Sequence, residues 1–419
     1  MKTYMSYFLL ITSLVTILGC SPEFENGTSD IDSWEEETTT FEFNHPCMLH
    51  TNDDFSYVKA KVAAKAEPWY MGYEKLAKSV NVNHQPQAVE IVNRSQAGYV
   101  DPSKDAEMAY QLALMWRMTG EKQYAETAIK ILNAWAEINK SMDEGNSDAI
   151  ISTGYCGYKY ANAAEIMRDY SGWKSEDFEV YKRWIVDVIY SSCYRFLASH
   201  NGDDPMNTWL SWDIPPMASA LAIGILCDDS EKVNFVLKYF REGSGPGCIK
   251  NAVVAMHEDP AGNIQGAHLA QSMETGREMG HAMTTVSMYG YLCQMAYNIK
   301  VDLFAYDDNM VLDLCEYLAK YNVYPDQAVD MPFTPYNTLK EGWKSIIGQN
   351  DPSQRGQICW GYELIYNHYK KIKGVNPYYS QQYARTMRPE GKNFDFGTLM
   401  YTREPIESGE DQKAEPERQ

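Results

Sequence analysis

With 419 residues, 44% of them hydrophobic, the chain is long enough for one large core or two ordinary domains. A formal net charge of −20 argues against nucleic acid as a partner. A polyanion would have to be met by a local cluster of Arg, Lys and His, because the field of the whole molecule repels it.

The N-terminus carries an export pattern. Lys2 precedes an apolar run from Tyr7 to Leu18, which ends in Gly19-Cys20. A short apolar stretch, a small residue and then a cysteine is the pattern of a bacterial lipoprotein signal, with Cys20 as the lipidated residue. The run is too short for a transmembrane helix. Residues 1–20 are therefore read as the signal and the acidic, polar residues 21–44 as a disordered tether. Residues 45–404 are read as the main domain and 405–419 as a disordered tail. The expected protein is exported, periplasmic or on the cell surface, and held to the outer or cytoplasmic membrane by its lipid.

Eight cysteines follow Cys20, and none forms a CxxC pair, so a zinc knuckle is not supported. Most sit in apolar helical runs, where cysteine acts as a small hydrophobe.

Helical periodicity dominates the rest. Asp53-Asp54 is positioned to cap a helix from Phe55 to about Val80, bent at Pro68. Residues 105–118 and 121–138 form an amphipathic pair separated by Thr119-Gly120; Tyr124, Ala125, Ala128, Ile131, Leu132 and Trp135 make the apolar stripe of the second. Further helices are expected at about 153–170, 175–199, 216–227, 230–242, 271–298, 308–321 and 355–372, with Pro215-Pro216 opening the one at 216. Strand alternation is scarce before residue 390 and weak near FGTLMYT. The predicted fold is all-α: helical hairpins curving into an α/α toroid, an incomplete barrel, with a small C-terminal appendage. Three polar connections, 140–152, 200–208 and 322–340, are long enough to be functional.

The stretch with the most chemistry is QSMETGREMGHAMTTVSMYGY, residues 271–291. On a helix, Glu274, Arg277 and His281 would fall within roughly 60° of arc. An acid, a fixed cation and an imidazole on one face are either a structural ion pair with a hydrogen-bonded histidine or a working site. Asn207 either caps the helix after it or donates its amide to a substrate, with Trp209 and Trp212 as a wall. His268 is a loop histidine near the main stretch. His257, His268 and His281 do not have the spacing of a metal-ligand set. Tyr336 sits in PFTPY, residues 332–336, where prolines stiffen the loop; it either packs or is held for catalysis.

METGREMGH at 273–281, NTW at 207–209 and PFTPY at 332–336 together resemble polysaccharide lyases of the alginate-lyase-like superfamily, and are most similar to polysaccharide lyase family 38. The resemblance spans about residues 45–404, with GTLMYT near the C-terminus a weaker part of it. It implies an α/α-barrel enzyme that cleaves a uronic-acid polymer such as alginate or glucuronan by β-elimination, without a cofactor. By the same resemblance Asn207, His281 and Tyr336 fall on catalytic positions, with Glu274 and Arg277 beside them. Many relatives of other lyase families carry an adjacent Asn-His pair where this chain has Asn207-Thr208.

The residue types suit that reaction. The proton at C5 of a uronate is weakly acidic while the neighbouring carboxylate keeps its charge. Donors such as Asn207 and Arg277 would stabilise the enolate-like transition state. An imidazole, which titrates near neutrality, is a natural base or orienter, His281 here, and Tyr336 a natural acid for the departing O4, or both acid and base where nearby positive charge lowers its pKa. Glu274 would position Arg277 or His281. Two competitors remain. An inverting glycoside hydrolase would pair Glu274 with Asp203 or Asp204, roughly 6.5–9.5 Å apart. A surface glycan-binding lipoprotein would bind polymer without shortening it.

Overall fold

Successive helices alternate between an inner and an outer layer, and the central inner ones are buried on nearly every side. The structure is a computed structural model that describes residues 39–142, 149–264, 268–323, 331–335, 355–389 and 396–404. The predicted signal, Cys20, most of the tether, the tail and Tyr336 lie outside the described residues. Those described fall within one unit, Thr38–Gln419.

The helices are α1 (Asn52–Ala63), α2 (Trp69–Ser79), α3 (Pro102–Thr119), α4 (Lys122–Ile138), α5 (Ala149–Met167) and α6 (Ser175–Trp184). A π-helical stretch, Ile185–Tyr190, joins α6 to α7 (Ser191–Ser199). Then come α8 (Leu210–Leu226), α9 (Ser230–Glu242), the short α10 (Ile249–Ala252), α11 (Met279–Asn298), α12 (Tyr306–Val323), α13 (Tyr362–Asn367), α14 (Tyr378–Thr386) and α15 (Gly397–Met400). Between α10 and α11 the chain makes an antiparallel hairpin, β1 (Val253–His257) and β2 (Leu269–Ser272). Helices α3, α5, α8, α11 and α13 pack in that order as the inner row, each flanked by an outer partner. Nearly every residue of α5 and α8 is buried, as an inner helix requires, whereas α4 and α9 keep a polar face. This is the predicted α/α barrel.

Small residues set the tightest inner contact. A side chain at Gly154 of α5 would fall 2.7 Å from the backbone nitrogen of Pro216, and one at Gly157 would strike Ser219. Ser219 Oγ donates to the Gly154 carbonyl (2.6 Å) and accepts from the Tyr158 N–H (2.8 Å). The hydroxyl of α8 is thus inserted into the hydrogen-bond ladder of α5.

Several boundaries differ from expectation. Phe55–Val80 is two helices, broken at 64–68, and the first is capped by Thr51, whose partner in a capping box is Asp54. Helix α8 begins six residues earlier than predicted, with Pro215 and Pro216 inside it, and Asn207 does not cap it: the N-cap is Trp209. FGTLMYT holds the short helix α15 in place of a strand. The C-terminal segment closes on the start of the barrel, where the Trp69 indole donates to the Thr402 carbonyl (3.1 Å) and Arg403 pairs with Asp54 (2.8 Å). Residues 39–44, assigned to the tether, pack: the Phe41 N–H donates to Ser230 Oγ and the Asn234 amide to the Thr39 carbonyl. Among the described residues all the cysteines are free thiols, and no helix is long and apolar enough to cross a membrane.

A buried acid at the α12–α14 contact predicts a pH-dependent stability. Glu316 of α12 accepts the N–H groups of Tyr379 (2.9 Å) and Ser380 (2.8 Å) at the start of α14. Burial pushes its carboxyl up to about 7. Between its ordinary value and that one, the folded state holds a proton that the unfolded state has released. Its stabilising contribution is complete at low pH and is lost as pH rises through about 7. Unfolding titrations at about pH 5 and about pH 8 should show a decline in the native protein that Glu316→Gln reduces by on the order of 3 kcal/mol, with Asp313, which burial pushes up to about 6, contributing to what remains. An equal decline in both proteins would assign it to other groups.

Candidate active site

One buried carboxylate joins the first turn of inner helix α8 to the turn that leads into inner helix α11. Glu274 is fully buried, and both its oxygens are engaged. Oε1 accepts the backbone N–H of Ser211 in the first turn of α8 (2.9 Å), a favourable place for negative charge. Oε2 accepts Nη1 of Arg277 (2.9 Å). The Arg277 guanidinium also lies 4.4 Å from the ring centroid of Trp209, the N-cap of α8. Arg277 is fixed by an ion pair on one side and an aromatic face on the other. Its side chain remains partly open to solvent, with N–H donors beyond the one that Glu274 takes.

The predicted helix through 271–298 is corrected here. Residues 269–272 are strand, 273–278 are a turn, and α11 starts only at Met279. Gly276, at φ +90°, holds the left-handed conformation that ends any helix through this point. Glu274, Arg277 and His281 therefore do not share a helical face. The turn sends Glu274 inward and leaves Arg277 at the surface of the site.

His281 stands at the third position of α11. Its Nδ1 pairs with Glu278 Oε2 at 2.7 Å, and its side chain is 42% exposed. With Nδ1–H donating to that carboxylate, the lone pair of the neutral ring is on Nε2, which has no partner among the described residues. Glu278 is a residue that sequence reasoning missed. The i, i+3 spacing was visible, but the acid assigned to the histidine's face was Glu274.

Asn207 lies on the loop before α8, in a single 3₁₀ turn, Pro205–Asn207. Its Nδ2 donates to Asp203 (3.1 Å) and its backbone N–H to the Asp204 carbonyl (2.9 Å). A buried cluster anchors this loop. Asp213 accepts from the Tyr239 hydroxyl (2.6 Å) and the Gly247 N–H (3.0 Å), and pairs with His200 Nε2 (3.0 Å). Trp209 is buried and Trp212 partly so.

Tyr336 lies outside the described residues, but the chain leading to it is anchored nearby. Gln271 on β2 accepts the Thr334 N–H and donates to the Thr334 carbonyl, both at 2.8 Å. The Tyr317 hydroxyl holds the Pro332 carbonyl (2.7 Å). His268 is at the other end of β2, exposed, about 13 Å of extended strand from Ser272, so the structure does not bring it to Arg277. It faces Glu258 (3.4 Å), while His257 pairs with Gln271 (3.1 Å).

Tyr155 of α5 had no signal in the sequence, since it sits in a helix that is otherwise core. It is half-buried and within electrostatic reach of Glu274 and Arg94. Burial, and after it the charge of Glu274, pushes its phenol well up, so it stays protonated. It is then open to donation only, and as a weaker acid than an ordinary phenol. Glu274, by contrast, is buried with both oxygens occupied, so the hydrolase alternative loses its proposed acid.

The family model described as alginate lyase matches residues 56–328. No curated protein matches the sequence. Among solved structures, the chain is similar to an alginate lyase from Bacteroides ovatus (TM-score 0.52, 13% identity), over 86% of this chain and 100% of that one. It is also similar to alginate lyase A1-III from Sphingomonas species A1, with TM-score 0.49 and 14% identity over 84% of this chain and 95% of that one. An A1-III variant complexed with a tetrasaccharide matches with TM-score 0.47 and 14% identity, over 68% and 79% of the two chains.

Proposed function

The chain belongs to the alginate lyase family and is a polysaccharide lyase; from that premise we propose that it cleaves a 4-linked uronic-acid polymer, alginate or glucuronan, at the start of α8 and α11. Within the family we place it with polysaccharide lyase family 38. The observation that carries the site is the mounting of Arg277 between Glu274 and Trp209. A net charge of −20 offers a polyanion nothing at long range, so a rigid local cation has to do the recognition.

Arg277 takes the uronate carboxylate, with the Asn207 amide as a second donor. The N–H groups of the first turn of α11, which have no intrahelical acceptor, add positive potential there. Quenching that charge makes the C5 proton removable, because negative charge moves onto the carboxylate in the transition state. His281 Nε2 takes the proton, oriented by Glu278 through Nδ1. A phenol protonates the departing O4; Tyr336 is the first candidate and Tyr155 the second. Trp212 supplies an apolar wall for the sugar ring. No step uses a cofactor. An exported lipoprotein anchored at Cys20 would meet such polymers outside the inner membrane.

The test is a panel of mannuronate, guluronate and glucuronate polymers, followed at the ultraviolet absorbance of the new C4–C5 double bond. A rise with at least one of them is expected. New reducing ends without that absorbance would indicate a hydrolase, and retention of polymer without shortening would indicate a binding protein; either result sinks the proposal.

A further inference from the structure

Away from this site, three side chains with metal-ligand chemistry converge where the leading segment meets the barrel. His45, Cys47 and Glu165 each offer a ligand atom, and these atoms all lie within 4.8 Å of one another. They come from two parts of the chain, the extended residues before α1 and the C-terminal end of α5. Nδ1 of His45 is 2.7 Å from Glu165 Oε1 and 3.7 Å from Cys47 Sγ. Cys47 and Glu165 are buried and His45 nearly so. We propose that His45, Cys47 and Glu165 form a site for one zinc-class divalent cation, which fastens the segment before α1 to the barrel.

The surroundings match what such a site needs. Zinc takes sulfur, nitrogen and oxygen donors tetrahedrally, at lengths that separate its ligand atoms by about 3.3–3.6 Å. The sulfur–nitrogen separation is already close to this. The nitrogen–oxygen pair, now bridged by a proton, would open by roughly 0.6 Å when the cation replaces that proton. The other ring nitrogen, Nε2, is 2.7 Å from Asp228 Oδ1. A carboxylate on the distal nitrogen is the outer-shell arrangement that orients a ligating histidine. The Cys47 N–H donates to Glu165 Oε1 (2.9 Å) and aims that carboxylate. Glu165 Oε2 accepts no hydrogen bond, only the approach of Arg168 Nε at 3.3 Å.

Charge also balances. Glu165, Asp228 and Arg168 carry a net charge of −1 between them, so a dication held by a Cys47 thiolate and a neutral His45 ring leaves the cluster neutral. A thiolate with an imidazole selects zinc or cobalt over magnesium or calcium. The site is separate from the Arg277 site in its residues, so its test does not depend on the lyase reading.

The test uses the full chain, stripped with chelator and dialysed. Zinc added back should bind at one equivalent and raise the melting temperature. Cobalt should give a thiolate-to-metal charge-transfer band. Cys47→Ser should remove the band and His45→Gln should weaken uptake at least tenfold, while Cys227→Ser and Cys20→Ser keep both. Circular dichroism separates loss of the site from loss of the fold. No stoichiometric uptake by the native chain, or a cobalt band that survives Cys47→Ser, would overturn the assignment.

Discussion

Arg277→Ala should lower kcat/KM on the responsive uronan by roughly 10²–10³-fold, the usual cost of removing a preorganised donor to a developing oxyanion. The loss should fall on kcat as well as KM, because the carboxylate needs the cation most when charge flows onto it. Arg277→Lys should recover only part of the loss. A lysine supplies the charge but neither the fork that meets a carboxylate with two parallel bonds nor the flat face that lies on Trp209.

The same substitution has a stability cost that must be separated from its chemical one. Glu274 is fully buried, and without Arg277 it keeps, among the described residues, the Ser211 N–H as a partner for its charge. Removing one member of a buried pair costs on the order of 3 kcal/mol. The double variant Glu274→Gln with Arg277→Ala removes the stranded charge and should regain much of the stability without regaining activity. If it regained activity as well, Arg277 would be serving the fold and not the substrate.

The barrel was legible because long amphipathic and all-apolar helices announce themselves by period, and most of the inner and outer helices fall where that period puts them. Ends were not legible where one residue decides. Gly276 breaks the helix expected through 271–278 by taking a positive φ, whereas Gly280 sits inside α11, and nothing in METGREMGH tells the two glycines apart. Prolines 215 and 216 read as a helix start, yet α8 already has its first turn, fastened from outside the helix by Glu274. The residue types of the site were legible, but their grouping was not. Arg277 was paired correctly with Glu274 at three residues' distance. Its seat on Trp209 comes from a residue 68 positions earlier in the chain, and no local pattern encodes that contact. Tyr155 and the His45 cluster were invisible for the same reason.

His281→Ala should reduce kcat by about 10²–10⁴-fold with the protein still folded, since the ring is half exposed and its partner among the described residues is Glu278. Glu278→Gln makes the sharper test. A glutamine oxygen can still accept the Nδ1 proton, so the ring stays in place and KM should change little. The negative charge that supports a forming imidazolium is gone, so kcat should fall by about tenfold. Glu278→Ala frees the ring to turn and should fall further, with loss of the kcat-only signature. Added imidazole should restore part of the activity of His281→Ala and none of that of Arg277→Ala, because a small base can replace a proton acceptor but not a fixed cation. Near-native turnover by His281→Ala would move proton abstraction to a phenol, and the remaining candidates would then be Tyr336 and Tyr155. Burial and the Glu274 charge both resist ionisation of Tyr155, which counts against it as a base.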